Sequence, residues 1–280
     1  MQIKRMNSWR LGSTVRFYLE PKTEAELITQ VKSVPETKHG LLFLGLGSNV
    51  LFPDHELDAV LVRMRHLNHY TIDGDIFDAQ VGLTLAKIGK KAIKLGMCDA
   101  GFLVGIPGML GGALVMNAGA QGRAIWDFVQ SVRVLTDQGI IELFPEDFCI
   151  GYRNVIAKKY FVHCFLSAKL KFEITCPIIA DASMRSMIQK RNAAQPIGTY
   201  NCGCVFKNLP DQSIGILLDQ LGFRGRRFGG ARVSPKHANF IENHLQQATT
   251  KDVLNLIQIM QDAVYAATQY QPQLEVKIYD

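Results

Sequence analysis

LLFLGLGSNVLFPD, residues 41–54, can be read in two ways, and the choice decides the fold. A glycine turn after an apolar strand is how a dinucleotide-binding βαβ unit begins. That fingerprint, G-x-G-x-x-G, needs its third glycine where Val50 stands, and a helix should follow where the chain runs on as LFPD. The doubly wound reading fails on both counts. The residues support a strand, a tight glycine turn and a second strand. Gly45 and Gly47 open the backbone N–H groups, and Ser48 and Asn49 add polar side chains, a nest suited to a diphosphate. Taken alone, the segment reads equally well as a plain hairpin turn.

Outward from this turn, strands alternate with capped helices. VRFYLEP (15–21) is a strand ending at Pro21, after which Thr23 and Glu26 form a capping box over EAELITQVKSV. AVLVRM (59–64) and DIFDAQVG (75–82) are strands, and Thr84 caps a helix that runs to Gly96 with Leu85, Ile88 and Ala92 on one face. A second glycine segment, GIPGMLGGALVMNAG (105–119), is poor in charge; its glycines let backbone pass close to a flat or bulky ligand, with tight packing between layers as the alternative. VQSVRVLT, DQG and IIELF form a hairpin, and KKYFVHCFLSAKLKFEI continues the β structure. Composition shifts near 173–180. Beyond it come a helix over about 183–194, a strand around Val205, a helix capped by Asp211 and ending at Gly222, an amphipathic helix over 251–267 and a final strand in QLEVKIYD. The chain is α+β, with boundaries near 65 and 175.

The 280 residues carry 31 Lys+Arg against 25 Asp+Glu, a net charge of +6, and 48% of them are hydrophobic. The densest basic stretch, FRGRRFGG (223–230), is short and glycine-rich, so an anionic small substrate explains the charge better than nucleic acid does. MQIKRMNSWRLG lacks a signal-type apolar run, and no stretch approaches the ~18 apolar residues of a membrane span. The six cysteines (98, 149, 164, 176, 202 and 204) show no framework spacing, which predicts a cytoplasmic protein with free thiols. HLNH (66–69) and the Cys202/Cys204 pair are too sparse for zinc, so no metal is expected.

The two glycine segments, GYRN (151–154), QPIGTYNCGCVFKN (195–208), GGARVSPKHANFI (229–241) and LEVK (274–277) together closely resemble the UDP-N-acetylenolpyruvoylglucosamine reductase family, in family order and over nearly the whole chain. The resemblance implies a vanillyl-alcohol-oxidase-type FAD module in two α+β subdomains, 1–65 and 66–174. A smaller α+β substrate-binding domain, 175–280, would send its C-terminal strand back to the active site. It implies non-covalent FAD, NADPH as co-substrate, and reduction of UDP-N-acetylglucosamine enolpyruvate to UDP-N-acetylmuramate in peptidoglycan precursor synthesis. The short passage before KRNAAQP resembles the branch lacking a tyrosine-bearing insertion over the uridine. No membrane insertion is expected, and the protein would be a monomer or weak oligomer. The alternatives are another FAD oxidoreductase on the same module and a flavin-binding protein without turnover.

By the same resemblance, Gly45, Leu46, Gly47, Ser48, Asn49 and Val50 hold the cofactor with Ile106, Pro107 and Gly108, with Gly111, Gly112 and Ala113, and with Lys277. Tyr152, Arg191, Gln195, Lys207 and Asn208 fall to the substrate. Hydride addition to the vinyl carbon builds an enolate and leaves the adjacent carbon needing a proton. Arg153 can grip the carboxylate with its planar fork, Glu275 helps if protonated or if it orients another donor, and Cys204 aligns with the proton donor, commonly serine. A thiol there is a stronger acid than an alcohol and an expected target for alkylation. Val155, Leu209 and Lys277 are further departures from the family pattern, Cys202 matches no role, and His237 reads as structural.

Overall fold

The computed structural model describes residues 1–209 and 211–280. Strand β1 (Val15–Leu19) leads into helix α1 (Glu24–Lys32), then β2 (Leu41–Leu44), β3 (Val50–Leu51) and β4 (Leu57–Arg63). β1, β4 and β2 form a parallel sheet in that order. β4 is central, and its apolar run, residues 59–62, is wholly buried, as a strand covered on both faces requires. Thr23 Oγ accepts from the Glu26 N–H at 3.1 Å, as the capping box requires, but the Glu26 carboxylate accepts from Lys22 N–H at 2.8 Å, one residue earlier than expected. β3 leaves this sheet altogether, so the turn between β2 and β3 is not a hairpin.

The second unit is a five-stranded antiparallel sheet. Its strands are β5 (Tyr70–Asp73), β6 (Ile76–Gln80), β9 (Val129–Thr136), β10 (Gly139–Leu143) and β13 (Val162–Lys171), in the order β10-β9-β13-β6-β5. Between β6 and β9 the chain makes α2 (Leu85–Lys94), α3 (Gly101–Val104), α4 (Leu110–Met116) and a small ribbon of β7 (Gly119–Ala120) and β8 (Arg123–Ala124). The second glycine segment, read as backbone passing close to a ligand, therefore contains one short helix, α4. β11 (Phe148–Gly151) and β12 (Asn154–Ala157) form a separate hairpin. Trp126, Phe148 and Phe165 pack ring against ring and tie that hairpin to the main core.

Helix α5 (Pro177–Ala194) begins six residues before the expected start, with Pro177 at its first turn, and packs on α2 and α3. α6 (Ile214–Gln220), β14 (Arg227–Phe228), β15 (Ala231–Val233), β16 (Ile241–Asn243), α7 (Thr250–Thr268) and β17 (Lys277–Ile278) complete the chain. The cap of α6 is not Asp211: Ser213 occupies the position, and the Ile214 N–H donates to Asn208 Oδ1 at 3.3 Å. No strand forms around Val205; Phe206 makes an isolated bridge to Leu274. α7 has a reciprocal capping box between Thr249 and Asp252 and buries Val253, Leu256, Ile257, Met260 and Val264. β17 pairs in parallel with β3, carrying the C-terminus back to the first unit.

The N-terminal segment ties the ends together. Trp9 is fully buried in the C-terminal core, its Nε1–H donating to Ile241 O at 2.6 Å, and Asn243 Nδ2 donates back to Trp9 O at 2.8 Å. Trp9→Ala removes a large buried side chain and orphans a buried carbonyl, so unfolding free energy should fall by about 3–5 kcal/mol. The shift in the urea unfolding midpoint measures it. A loss below about 1 kcal/mol would mean this strap contributes little to joining the units.

Candidate active site

A cleft of about 1080 Å³ runs between the two N-terminal units and the C-terminal one. Every expected cofactor-binding residue lines it: Gly45 to Val50, Ile106 to Gly108, Gly111 to Ala113, and Lys277. Arg153, Cys204, Glu275, Arg191 and Gln195 line it too, whereas Tyr152, Lys207 and Asn208 lie outside its lining. Asn208 spends its side-chain oxygen on the α6 cap. Tyr152 is exposed beneath the Arg153 guanidinium, 5.2 Å from its ring centroid, and the charge of Lys207 reaches Glu275.

The turn after β2 is built by close backbone approach. Gly47 has φ +68, and a Cβ there would collide with the Met6 carbonyl and Asn7 Cα. The Ser8 N–H donates to Gly47 O at 3.0 Å. The Ser48 hydroxyl donates to Pro107 O at 2.7 Å, fastening this turn to the second glycine segment. Asn49 reaches the other way: its Nδ2 donates to Glu275 O at 2.9 Å, and its carbonyl accepts from Lys277 N–H at 3.0 Å. The two polar side chains thus hold the cradle's walls. In α4, Gly111 is needed because Val81 Cβ lies 3.0 Å from where its own Cβ would be, while Gly112 has open space there. An open cradle at Gly112, facing a glycine turn across a long cleft, fits a flat flavin nucleotide.

GYRN forms the tip of the β11–β12 hairpin. Arg153 sits at φ +54, a left-handed conformation that costs a non-glycine residue about 1–2 kcal/mol. Its surroundings hold it there. Nε donates to Glu275 Oε1 at 2.8 Å, Nη1 to Asn117 O at 3.3 Å and Nη2 to Gly119 O at 3.4 Å. Asn117, itself left-handed at the end of α4, donates Nδ2 to Gly151 O at 3.1 Å and fixes the hairpin's tip. Asn117 was not among the expected site residues. Its signal was an asparagine closing an apolar helix, the type that tolerates this conformation.

Burial pushes the Glu275 carboxyl above its ordinary range, against the pull of Arg153 and Lys207. Burial likewise pushes the Cys204 thiol up to about 12, with the Glu275 charge adding and Arg153 opposing. The thiol is therefore protonated at neutral pH, which disfavours the alkylation expected from an exposed thiolate. Cys202 points elsewhere. Gly203, at φ +79, turns the chain between the two cysteines, and the buried Cys202 Sγ donates to Val50 O at 3.4 Å. Arg191 donates Nε to Gln195 Oε1 at 3.0 Å, which pairs two expected substrate residues. Val155 and Leu209 pack against cores, so these departures serve packing. Elsewhere among the described residues, Cys98, Asp99 and Glu173 lie within 4.8 Å of one another, with Asp99 paired to Arg123.

Residues 15–143 match the FAD binding domain model, and 195–279 match the model described as UDP-N-acetylenolpyruvoylglucosamine reductase, C-terminal domain. The UDP-N-acetylenolpyruvoylglucosamine reductase of Alkalilimnicola ehrlichii is 36% identical, covering 93% of this chain and 87% of its own length. The chain belongs to the UDP-N-acetylenolpyruvoylglucosamine reductase family. The reductase of the same name from Clostridioides difficile is 35% identical over 99% of this chain and 91% of its own. The crystal structure of the Thermus caldophilus reductase superposes with a TM-score of 0.83 at 28% identity, covering 100% of this chain and 98% of that one. The reductase fold thus extends over both the FAD-binding and the C-terminal parts.

Gly47→Ala tests the cradle. The added methyl meets backbone at a left-handed position, so FAD retention should fall at least about tenfold, measured by flavin stoichiometry and titration of the apoprotein. A variant that purifies with full flavin and unchanged affinity would place the diphosphate elsewhere.

Proposed function

We propose that Arg153, Cys204 and Glu275 carry out the substrate half of the reaction, Arg153 holding the enolate, Cys204 delivering the proton and Glu275 orienting Arg153. The chain is an FAD-dependent UDP-N-acetylmuramate dehydrogenase, reducing UDP-N-acetylglucosamine enolpyruvate with NADPH in peptidoglycan precursor synthesis. The observation that supports the residue roles most is the Arg153–Glu275 pair, 2.8 Å apart, in the cleft that Cys204 also lines.

Gly45 to Val50, Ile106 to Gly108, Gly111 to Ala113 and Lys277 would hold the FAD. When bound, FAD supplies the hydride, taken from NADPH and delivered to the terminal vinyl carbon. Arg153 has five N–H groups, and three donate to Glu275, Asn117 and Gly119, leaving two without a protein partner among the described residues. Those two can take a substrate carboxylate and stay with it as charge builds. Cys204 holds its proton until the adjacent carbon becomes a strong base, and the S–H bond breaks as the C–H bond forms. The resulting thiolate takes a proton back from solvent, which restores the thiol. Arg191, Gln195 and Lys207, with Tyr152 at the rim, would bind the anionic sugar nucleotide, and Asn208 would serve indirectly through α6.

The same reading divides the chain at 65 and 174 into two FAD subdomains and a substrate domain, with α5 packed on the second. β13 is followed directly by α5, which supports the branch without the tyrosine-bearing insertion. All three proposed catalytic side chains come from one chain, which fits a monomer or weak oligomer, and the nucleotide substrates fit a cytoplasmic location.

Anaerobic rapid kinetics separates the halves. Arg153→Ala should leave flavin bleaching by NADPH near normal while slowing recolouring by the enolpyruvyl sugar nucleotide. Equal slowing of both would assign Arg153 to folding or general binding. Cys204→Ala should slow recolouring by about 10²–10⁴-fold and Cys204→Ser much less, with Cys202→Ser nearly silent. Normal recolouring by Cys204→Ala would remove the proton-donor role.

A further inference from the structure

We propose that Asn239 is the positioning residue of the proton donor: its amide side chain stands in for a missing β-strand beside Val205 and Phe206, and so fixes Cys204 relative to Glu275. This rests on Cys204 being the donor.

Cys204 to Lys207 bends at Val205 and has too few pairings to be a strand. One edge is held by the C-terminal segment: the Glu275 N–H donates to Val205 O at 2.8 Å, the Lys207 N–H donates to Gln273 O at 2.9 Å, and Phe206 bridges Leu274. A single residue serves the other edge. The Phe206 N–H donates to Asn239 Oδ1 at 3.0 Å, Asn239 Nδ2 donates to Phe206 O at 2.8 Å, and the Val205 N–H donates to Asn239 O at 2.9 Å. The amide thus makes the same two-way pairing that an antiparallel partner would make, from a residue only 2% exposed. A buried, paired amide has one geometry. Because Cys204 precedes Val205 and Glu275 lies across Val205, both proposed catalytic side chains are placed by the same three-layer arrangement.

Asn239 is itself held. Its N–H donates to His237 Nδ1 at 3.2 Å, and the His237 ring lies against Phe240, centroids 4.7 Å apart. Burial, aided by Arg224, keeps the imidazole below its ordinary pKa, so Nδ1 stays free to accept. This accounts for the KHANF stretch, which no cofactor or substrate role had explained. The Asn239 side chain also acts on the Cys204 thiol, holding it lower than burial alone would.

A double-mutant cycle in the FAD-loaded enzyme tests this. Asn239→Ala should slow substrate-driven flavin reoxidation by about 10²-fold, the cost of a misplaced group. Reduction by NADPH should change no more than about two-fold, and in the Cys204→Ala background the Asn239 substitution should cost no more than about two-fold. A purely structural role would give the same loss in both backgrounds, and that result would overturn the proposal. So would normal reoxidation by Asn239→Ala when Cys204→Ala is slow. If Cys204→Ala alone reoxidises normally, the donor role fails and the positioning role falls with it. Flavin content and the urea midpoint establish folding. Should Asn239→Ala not fold, Asn239→Asp, which keeps the acceptor for Phe206 N–H and sets an oxygen against Phe206 O, carries the same cycle and the same outcomes.

Discussion

The pair between Arg153 and Glu275 joins residues 122 apart in the chain, one at the tip of a hairpin in the second unit and one just before the last strand. Their side chains are 18% and 14% exposed. Withdrawing two charges that far from water costs several kcal/mol, and the attraction between them does little more than offset it. Stability is therefore a poor reason for the pair. Arg153 also bears a left-handed backbone, a further cost of about 1–2 kcal/mol. What these costs secure is geometry: a guanidinium held by three acceptors in one orientation, with two donors left over.

The geometry depends in turn on where the C-terminal strand lies, and the cofactor cradle decides that. Asn49 bonds the main chain on both sides of Val276, through Glu275 O and Lys277 N–H, and β17 then continues alongside β3. The turn that would face the diphosphate and the segment that presents Glu275 are one hydrogen-bonded unit. Trp9 and Asn243 lock the opposite side of the same junction. The proposed catalytic side chains thus sit where three units meet, and no unit could place them alone.

Elements with a strong period were legible in the sequence. α2, α7 and the β9–β10 hairpin form where caps, stripes and turn residues agree. Rejecting the dinucleotide fingerprint at Val50 was enough to exclude the doubly wound fold. What misled were places where tertiary contacts replace local signals. α4 forms despite two glycines because Leu110 and Gly111 N–H groups find Leu83 and Val81 carbonyls across the chain. Asp211 looked like a cap, yet Asn208 three residues upstream does the work. The strand expected at Val205 has its second edge supplied by a side chain, which no periodicity can reveal. The site residues were named from motif resemblance; Asn117 and Asn239, which hold them by main-chain hydrogen bonds, were missed because an asparagine's partners cannot be read from sequence.

The Cys-Gly-Cys stretch combines these points. Both thiols are buried in ways that push them up to about 12, but to different ends. Cys202 belongs to the C-terminal core, beneath the cradle, and behaves as a small apolar residue. Cys204 faces the cleft across a left-handed Gly203. A serine hydroxyl in that position would demand a hydrogen-bond partner of its own while waiting for substrate. A thiol pays little for desolvation in its neutral form, so it can wait protonated beside a buried carboxylate. The same burial makes the thiolate unfavourable, which keeps the proton on sulfur until a stronger base, the reduced substrate's carbon, is formed beside it.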